Sequence, residues 1–164
     1  MKYFAMCDII NDAILDKFIP FFNENQSVPC TIVLHSRGGQ TYVTDIIIRM
    51  IGQMEDVTLT IHSVYSAALK IAIQADCKKV LSSTAKGMWH MGRADMSVAI
   101  DTKPYYDEDI NHVKNFEIEA AQSIALANKI MTKKEFRRFK VKREEVWFDF
   151  KRMKQIFPDA EIIK

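Results

Sequence analysis

Apolar positions along the chain alternate between two spacings. From Asn11 to Asn25, Ile14, Leu15, Phe18, Ile19 and Phe22 recur every three to four residues, which predicts an amphipathic helix. Pro20 falls inside it and predicts a kink or an early end. After Pro29, Thr31-Ile32-Val33-Leu34-His35 is a compact apolar run, the signature of a buried strand. Ser36-Arg37-Gly38-Gly39 predicts a sharp turn. Tyr42 to Met54 returns to helical spacing, with Val43, Ile46, Ile47, Met50 and Ile51 inward. Val57 to Ile61 predicts a second strand, and Ser66 to Ala75 a helix of small residues able to pack closely on a sheet. Lys79-Val80-Leu81-Ser82 predicts a third strand and Gly87-Met88-Trp89-His90-Met91 a short fourth.

Strands alternating with helices predict βαβ crossovers and a mainly parallel sheet, hence an α/β fold. After His90 the pattern changes. Met91 to Pro104 is polar and irregular, which predicts a loop or an extended arm. Asp107 to Met131 predicts a long helix, with Ile110, Val113, Phe116, Ala120, Ile124 and Ala127 along one side. Asp107, Glu108 and Asp109 in its first turn suit the helix dipole. A long helix after a compact βα core suggests a contact with a partner subunit.

Composition narrows the class. A chain of 164 residues suits one domain with a real core, and glycine and proline are scarce enough, at five and four, that no linker is expected. A net charge of +2 argues against a protein dominated by phosphate or nucleic-acid binding. No apolar run is long enough to span a bilayer, and the N-terminal MKYFAMCDIINDAILDKF carries acids too early for a signal peptide. Cys7, Cys30 and Cys77 match no zinc or redox spacing, so they are expected to be buried free thiols in a reducing compartment. Cytoplasm is therefore the expected location, and no metal or cofactor is expected.

Candidate chemistry centres on three places. Ser66 stands between an apolar strand and an Ala-rich helix. There its hydroxyl is either an N-cap or a nucleophile whose developing oxyanion meets the N–H of Ala67. Gly38-Gly39 is either a tight strand-to-helix turn or a backbone that approaches a ligand, with the Gly38 N–H as second oxyanion donor. It is neither a dinucleotide fingerprint nor a phosphate loop. His90 is either a core histidine or a general base for Ser66. Lys70, four residues after Ser66, allows a serine–lysine dyad, though a lysine snorkelling out past an apolar helix is the simpler reading. His62 and Ser63 are near enough in sequence for a binding role. Lys133, Lys134, Arg137, Arg138, Lys140, Lys142 and Arg143 form a basic stretch, read as a solvated face beside Glu135, Glu144 and Glu145 rather than a nucleic-acid patch.

The order IVLHSRGGQTYVTDIIIRM, TLTIHSVYSAALKIAIQADCKKVLSS, GMWHMG, with His90 24 residues after Ser66, resembles the ClpP family of serine peptidases within the ClpP/crotonase fold. The resemblance covers residues 10 to 92, and more weakly 132 to 164, where EEVWFDFKRMKQIFPDAEII looks like the family's closing acid, helix and final strand. It implies a βαβ superhelix with a mainly parallel sheet and a long handle helix, the handle region spanning about 93–131. It implies Ser66 as nucleophile, His90 as general base, and Gly38 and Ala67 as oxyanion donors. It also implies a homo-oligomeric ring acting on polypeptide, with an ATP-dependent unfoldase as a possible partner. Shorter, divergent chains of this kind occur among phage proteins, where a structural precursor would be the substrate. The chain departs from the family at Arg37, where proline is usual, at Tyr65 beside the serine, and at the third triad member. The family's aspartate is replaced by Glu145, with Glu144 as the near alternative. That departure also supports a non-catalytic ClpP-like scaffold. A crotonase-like acyl-CoA enzyme shares the fold and is the remaining rival.

Overall fold

The computed structural model describes residues 2–91 and 106–164, with side chains at all of these except 106–116. The elements in chain order are β1 (Lys2–Met6), α1 (Asp12–Glu24), β2 (Cys30–Ser36), α2 (Thr41–Ile51), β3 (Val57–Tyr65), α3 (Ala67–Gln74), β4 (Lys78–Trp89), α4 (Tyr106–Ile130), α5 (Lys133–Lys142), β5 (Val146–Phe148), α6 (Phe150–Ile156) and β6 (Glu161–Ile163). The chain divides into two compact units, Met1–Trp89 with Trp147–Lys164, and His90–Val146. Most of the arm expected from Met91 to Pro104 lies outside the described residues.

The first unit is built on a sheet of order β1-β2-β3-β4-β5, with β6 also beside β4. The pairs β1/β2, β2/β3, β3/β4 and β4/β6 are all parallel. Helices cross between successive strands, as the alternating periodicities predict. One face of β2 and β3 buries Ile32, Leu34, Leu59 and Ile61 completely, with Phe18 of α1, Ile47 and Ile51 of α2 and Leu69 of α3 also at 0% exposure. Each such side chain contributes roughly 1.5–3 kcal/mol on burial. Asn11 caps α1 by accepting from the Ile14 N–H at 3.2 Å. Pro20 does not end that helix, which runs on to Glu24.

Several elements differ from expectation, among them β3, which runs on to Tyr65, four residues past its predicted end at Ile61. The opening residues form a strand, β1, although only Met6 of it is buried; it pairs on one side alone, so its sequence carries little apolar signal. The third and fourth predicted strands are one continuous β4. Its register against β3 jumps between the Ile61–Leu81 and Ser63–Lys86 pairs, so the polar residues between the two apolar runs are taken up by a bulge. The helix α2 ends at Ile51, three residues early.

The second unit holds α4 and α5. Leu126, Ala127 and Met131 are buried near the end of α4, and Phe139 is the buried residue of α5. Thr132 and Glu135 form a capping box at the start of α5, and Arg143 in the left-handed region (φ 55°) closes it.

Candidate active site

Ser66 sits where β3 turns into α3. Its φ of 53° and ψ of −122° place a non-glycine residue in a conformation that L side chains rarely adopt. Such a residue persists only when its surroundings hold it. Here the Ser66 N–H donates to the Met88 carbonyl of β4 at 2.8 Å, which continues the pairing of Tyr65 with Met88. The Ser66 carbonyl accepts from Leu69 and Lys70, opening the ladder of α3. The N–H groups of Ala67 and Ala68 precede that ladder and belong to the positive end of the helix. Ser66 is the N-cap residue by position, yet its side chain makes no capping hydrogen bond. The turn therefore presents a serine at a helix N-terminus without using it as a cap.

Gly38 lies directly against this turn. Its φ is +95°, and a Cβ there would stand 2.6 Å from the Tyr65 carbonyl oxygen and 2.9 Å from the Ala67 nitrogen. Only glycine admits that approach. Gly39 is as crowded: a Cβ would fall 2.1 Å from the Ile10 carbonyl oxygen. Backbone bonds fasten the glycines to the N-terminal segment, with Ile10 N–H donating to Gly38 O at 2.9 Å and Gln40 N–H to Ile10 O at 2.8 Å. The buried Ser36 hydroxyl donates to Asp8 O at 2.6 Å and accepts from the Gly38 N–H at 3.1 Å. Thus Gly38 and Ala67 do meet beside Ser66, and the Gly38 N–H is directed at Ser36 Oγ.

His90 directly follows β4, two residues beyond the carbonyl that holds Ser66. It opens the second unit. Its Nδ1 lies 2.9 Å from the Met91 carbonyl oxygen. A carbonyl only accepts, so this bond places the proton on Nδ1 and makes Nε2 the basic nitrogen. Of the two candidate acids, Glu144 accepts from Arg138 Nε at 2.6 Å and sits 3.7 Å from Lys142 Nζ. The bond from Arg138 holds its carboxyl below the usual carboxylate range. Glu145 is exposed. The structure thus ties Glu144 to α5 and leaves Glu145 as the acid outside that network.

Lys70 does not snorkel to solvent. Its ammonium pairs with Asp45 of α2 at 2.7 Å, with 12% of its side chain exposed against 35% for Asp45. It is a tie between α2 and α3. His62 packs edge-on to His35, ring centroids 6.4 Å apart. Tyr65 packs edge-on to Trp147 of β5 at 5.3 Å, so it leans along the sheet; Trp147 itself is 59% exposed. That pairing was not foreseen, because Trp147 is remote in sequence. Cys30 is buried and Cys77 half-buried, whereas Cys7 is exposed, which corrects the expectation of three buried thiols. Among the described residues no group of three or more His, Cys, Asp and Glu is placed to hold a metal ion. Nor, among them, is any helix long and apolar enough to cross a membrane.

No family model matches the chain, and no curated protein sequence matches it. Among solved structures, a point mutant of ClpP1 from Listeria monocytogenes superposes with a TM-score of 0.71 at 17% sequence identity, over 99% of this chain and 91% of that one. The likeness is one of fold: the chain has a ClpP-like α/β fold with a mainly parallel sheet.

Proposed function

We propose that the chain is a ClpP-like serine endopeptidase, with Ser66 as nucleophile and His90 as general base. The observation that carries this reading is the Ser66 turn itself: a positive-φ serine at the head of α3, held by the Met88 carbonyl and faced by a glycine that nothing larger can replace. His90 Nε2 takes the Ser66 proton as Oγ attacks the scissile carbonyl. The tetrahedral oxyanion is stabilised by the Ala67 N–H, which the helix N-terminus supports, and by the Gly38 N–H once it swings from Ser36 Oγ. His90 then passes the proton to the leaving amine, and water releases the acyl group. In this reading Glu145 is the triad acid and replaces the Met91 carbonyl as acceptor of the Nδ1 proton, orienting the imidazole and stabilising the imidazolium. The fold and this chemistry suit a homo-oligomeric ring acting on unfolded polypeptide, supplied by an ATP-driven unfoldase where one is present.

A second reading, a non-catalytic ClpP-like scaffold, is favoured by one observation: the Gly38 N–H already has an acceptor in Ser36 Oγ. Labelling of the folded, assembled protein with a fluorophosphonate probe separates the two. The peptidase reading expects covalent labelling that disappears in Ser66→Ala and falls at least about 100-fold in His90→Ala. Absence of labelling in the wild-type protein overturns the peptidase reading.

A further inference from the structure

The basic stretch of the sequence is sorted by α5 into two groups. Arg138 and Lys142 turn to Glu144. Lys133, Arg137 and Lys140 instead line a cavity of about 450 Å³ at the junction of α4 and α5, together with Met131, Phe136 and Val141. Positions 133, 136, 137, 140 and 141 follow the spacing of one helical face. Met131, Phe136 and Val141 supply its apolar part, and Val141 is 70% exposed. Lys140 Nζ stands 5.9 Å from the Phe136 ring centroid. None of the three cations forms an ion pair among the described residues.

The geometry points to this groove as a docking site for an acidic peptide segment of a partner protein, anchored by one apolar side chain. Charge complementarity identifies the occupant: three unneutralised cations flank the groove's apolar part. Lys133 and Lys140 are seven residues apart on the helix, about 10 Å along its axis. In an extended peptide that distance separates residues three apart. Acidic residues at such spacing meet both ends of the row while an apolar residue between them meets the apolar part. A nucleic acid would engage the cations and leave the apolar part in water. This site does not depend on Ser66 or on the peptidase reading.

The test is fluorescence anisotropy of the intact protein with a short fluorescein-labelled peptide in which Asp and Glu bracket a central Leu-Phe pair. Saturable binding is expected, at least about tenfold weaker in the Arg137→Glu/Lys140→Glu double variant. It is expected to be severalfold weaker in Val141→Ser, where every cation remains, and absent for the same peptide with serine in place of its acids. All the altered residues are exposed, and circular dichroism checks each fold; Lys133→Glu gives the charge readout if the double variant unfolds. The proposal is overturned if the peptide does not bind saturably, or if both kinds of variant bind like wild type. It is also overturned if single-stranded oligothymidine or anionic phosphatidylglycerol vesicles compete more strongly than the peptide does.

Discussion

At Gly38, the φ of +95° and the 2.6 Å approach to Tyr65 O reinforce each other. Gly38→Ala should therefore cost about 2–4 kcal/mol, through strain at positive φ and displacement of the Ser66 turn. The loss is read as a lowered denaturant midpoint. Arg37, one residue earlier, is exposed and needs no unusual backbone, so its departure from the proline usual in the family is of little structural consequence. Cys77 carries a different prediction. Burial pushes its thiol from an ordinary value of 9.0 up to about 11. Between about pH 9 and 11 the native state keeps a proton that the unfolded chain has released, so stability falls as pH rises through that window. The contribution, on the order of 2–3 kcal/mol, is complete below pH 9 and gone above 11. Urea unfolding of wild type against Cys77→Ala across this range should show a steeper fall in wild type, the variant keeping only the part due to groups such as the Cys30 thiol, which burial also raises.

The elements themselves were legible wherever one face is wholly buried. The 3.6-residue spacing marks α1, and the apolar run to Leu34 marks β2, because a core imposes its periodicity on the residues it covers. The edge strand β1 and the polar middle of β4 lack that imprint and were not foreseen. Of the candidate site, the approach of Gly38 to the Ser66 turn follows from the order of Ser36, Gly38, Gly39 and Ser66, while the part played by His90 belongs to the proposal. The site's details were not legible: the φ of Ser66 depends on a β4 carbonyl, and the Gly38 N–H on a hydroxyl fixed by Asp8 O, so both arise from tertiary register. Two ties within elements are directly testable. Thr132→Ala removes the capping box of α5 and should cost about 1 kcal/mol of local stability, seen as faster hydrogen exchange confined to the first turns of α5. Asp45→Asn leaves the mostly buried Lys70 ammonium without its carboxylate. With Asp45 partly exposed, a loss of about 1–2 kcal/mol is expected in thermal unfolding.

For the molecule as a whole, the decisive fact is that its first unit is discontinuous in sequence, made of Met1–Trp89 and Trp147–Lys164. The second segment is structural. A Cβ at Gly87 would stand 2.7 Å from Met153 Sδ and 3.2 Å from Phe148 Cδ2, so α6 and β5 pack hard against β4 there, and β6 pairs with Val80–Ser82. A chain stopped after Val146 lacks Phe148, Met153, Phe157 and β6, and should show no cooperative thermal transition by circular dichroism. The same discontinuity sets a timetable for synthesis. On the ribosome the early strands emerge first, followed by the whole of His90–Val146, and only then the segment that covers β4. At about 5–20 residues per second, β4 waits roughly 3–11 s for its cover. During that interval the nascent chain offers a bare strand edge and an apolar patch, the kind of surface on which an incomplete chain aggregates.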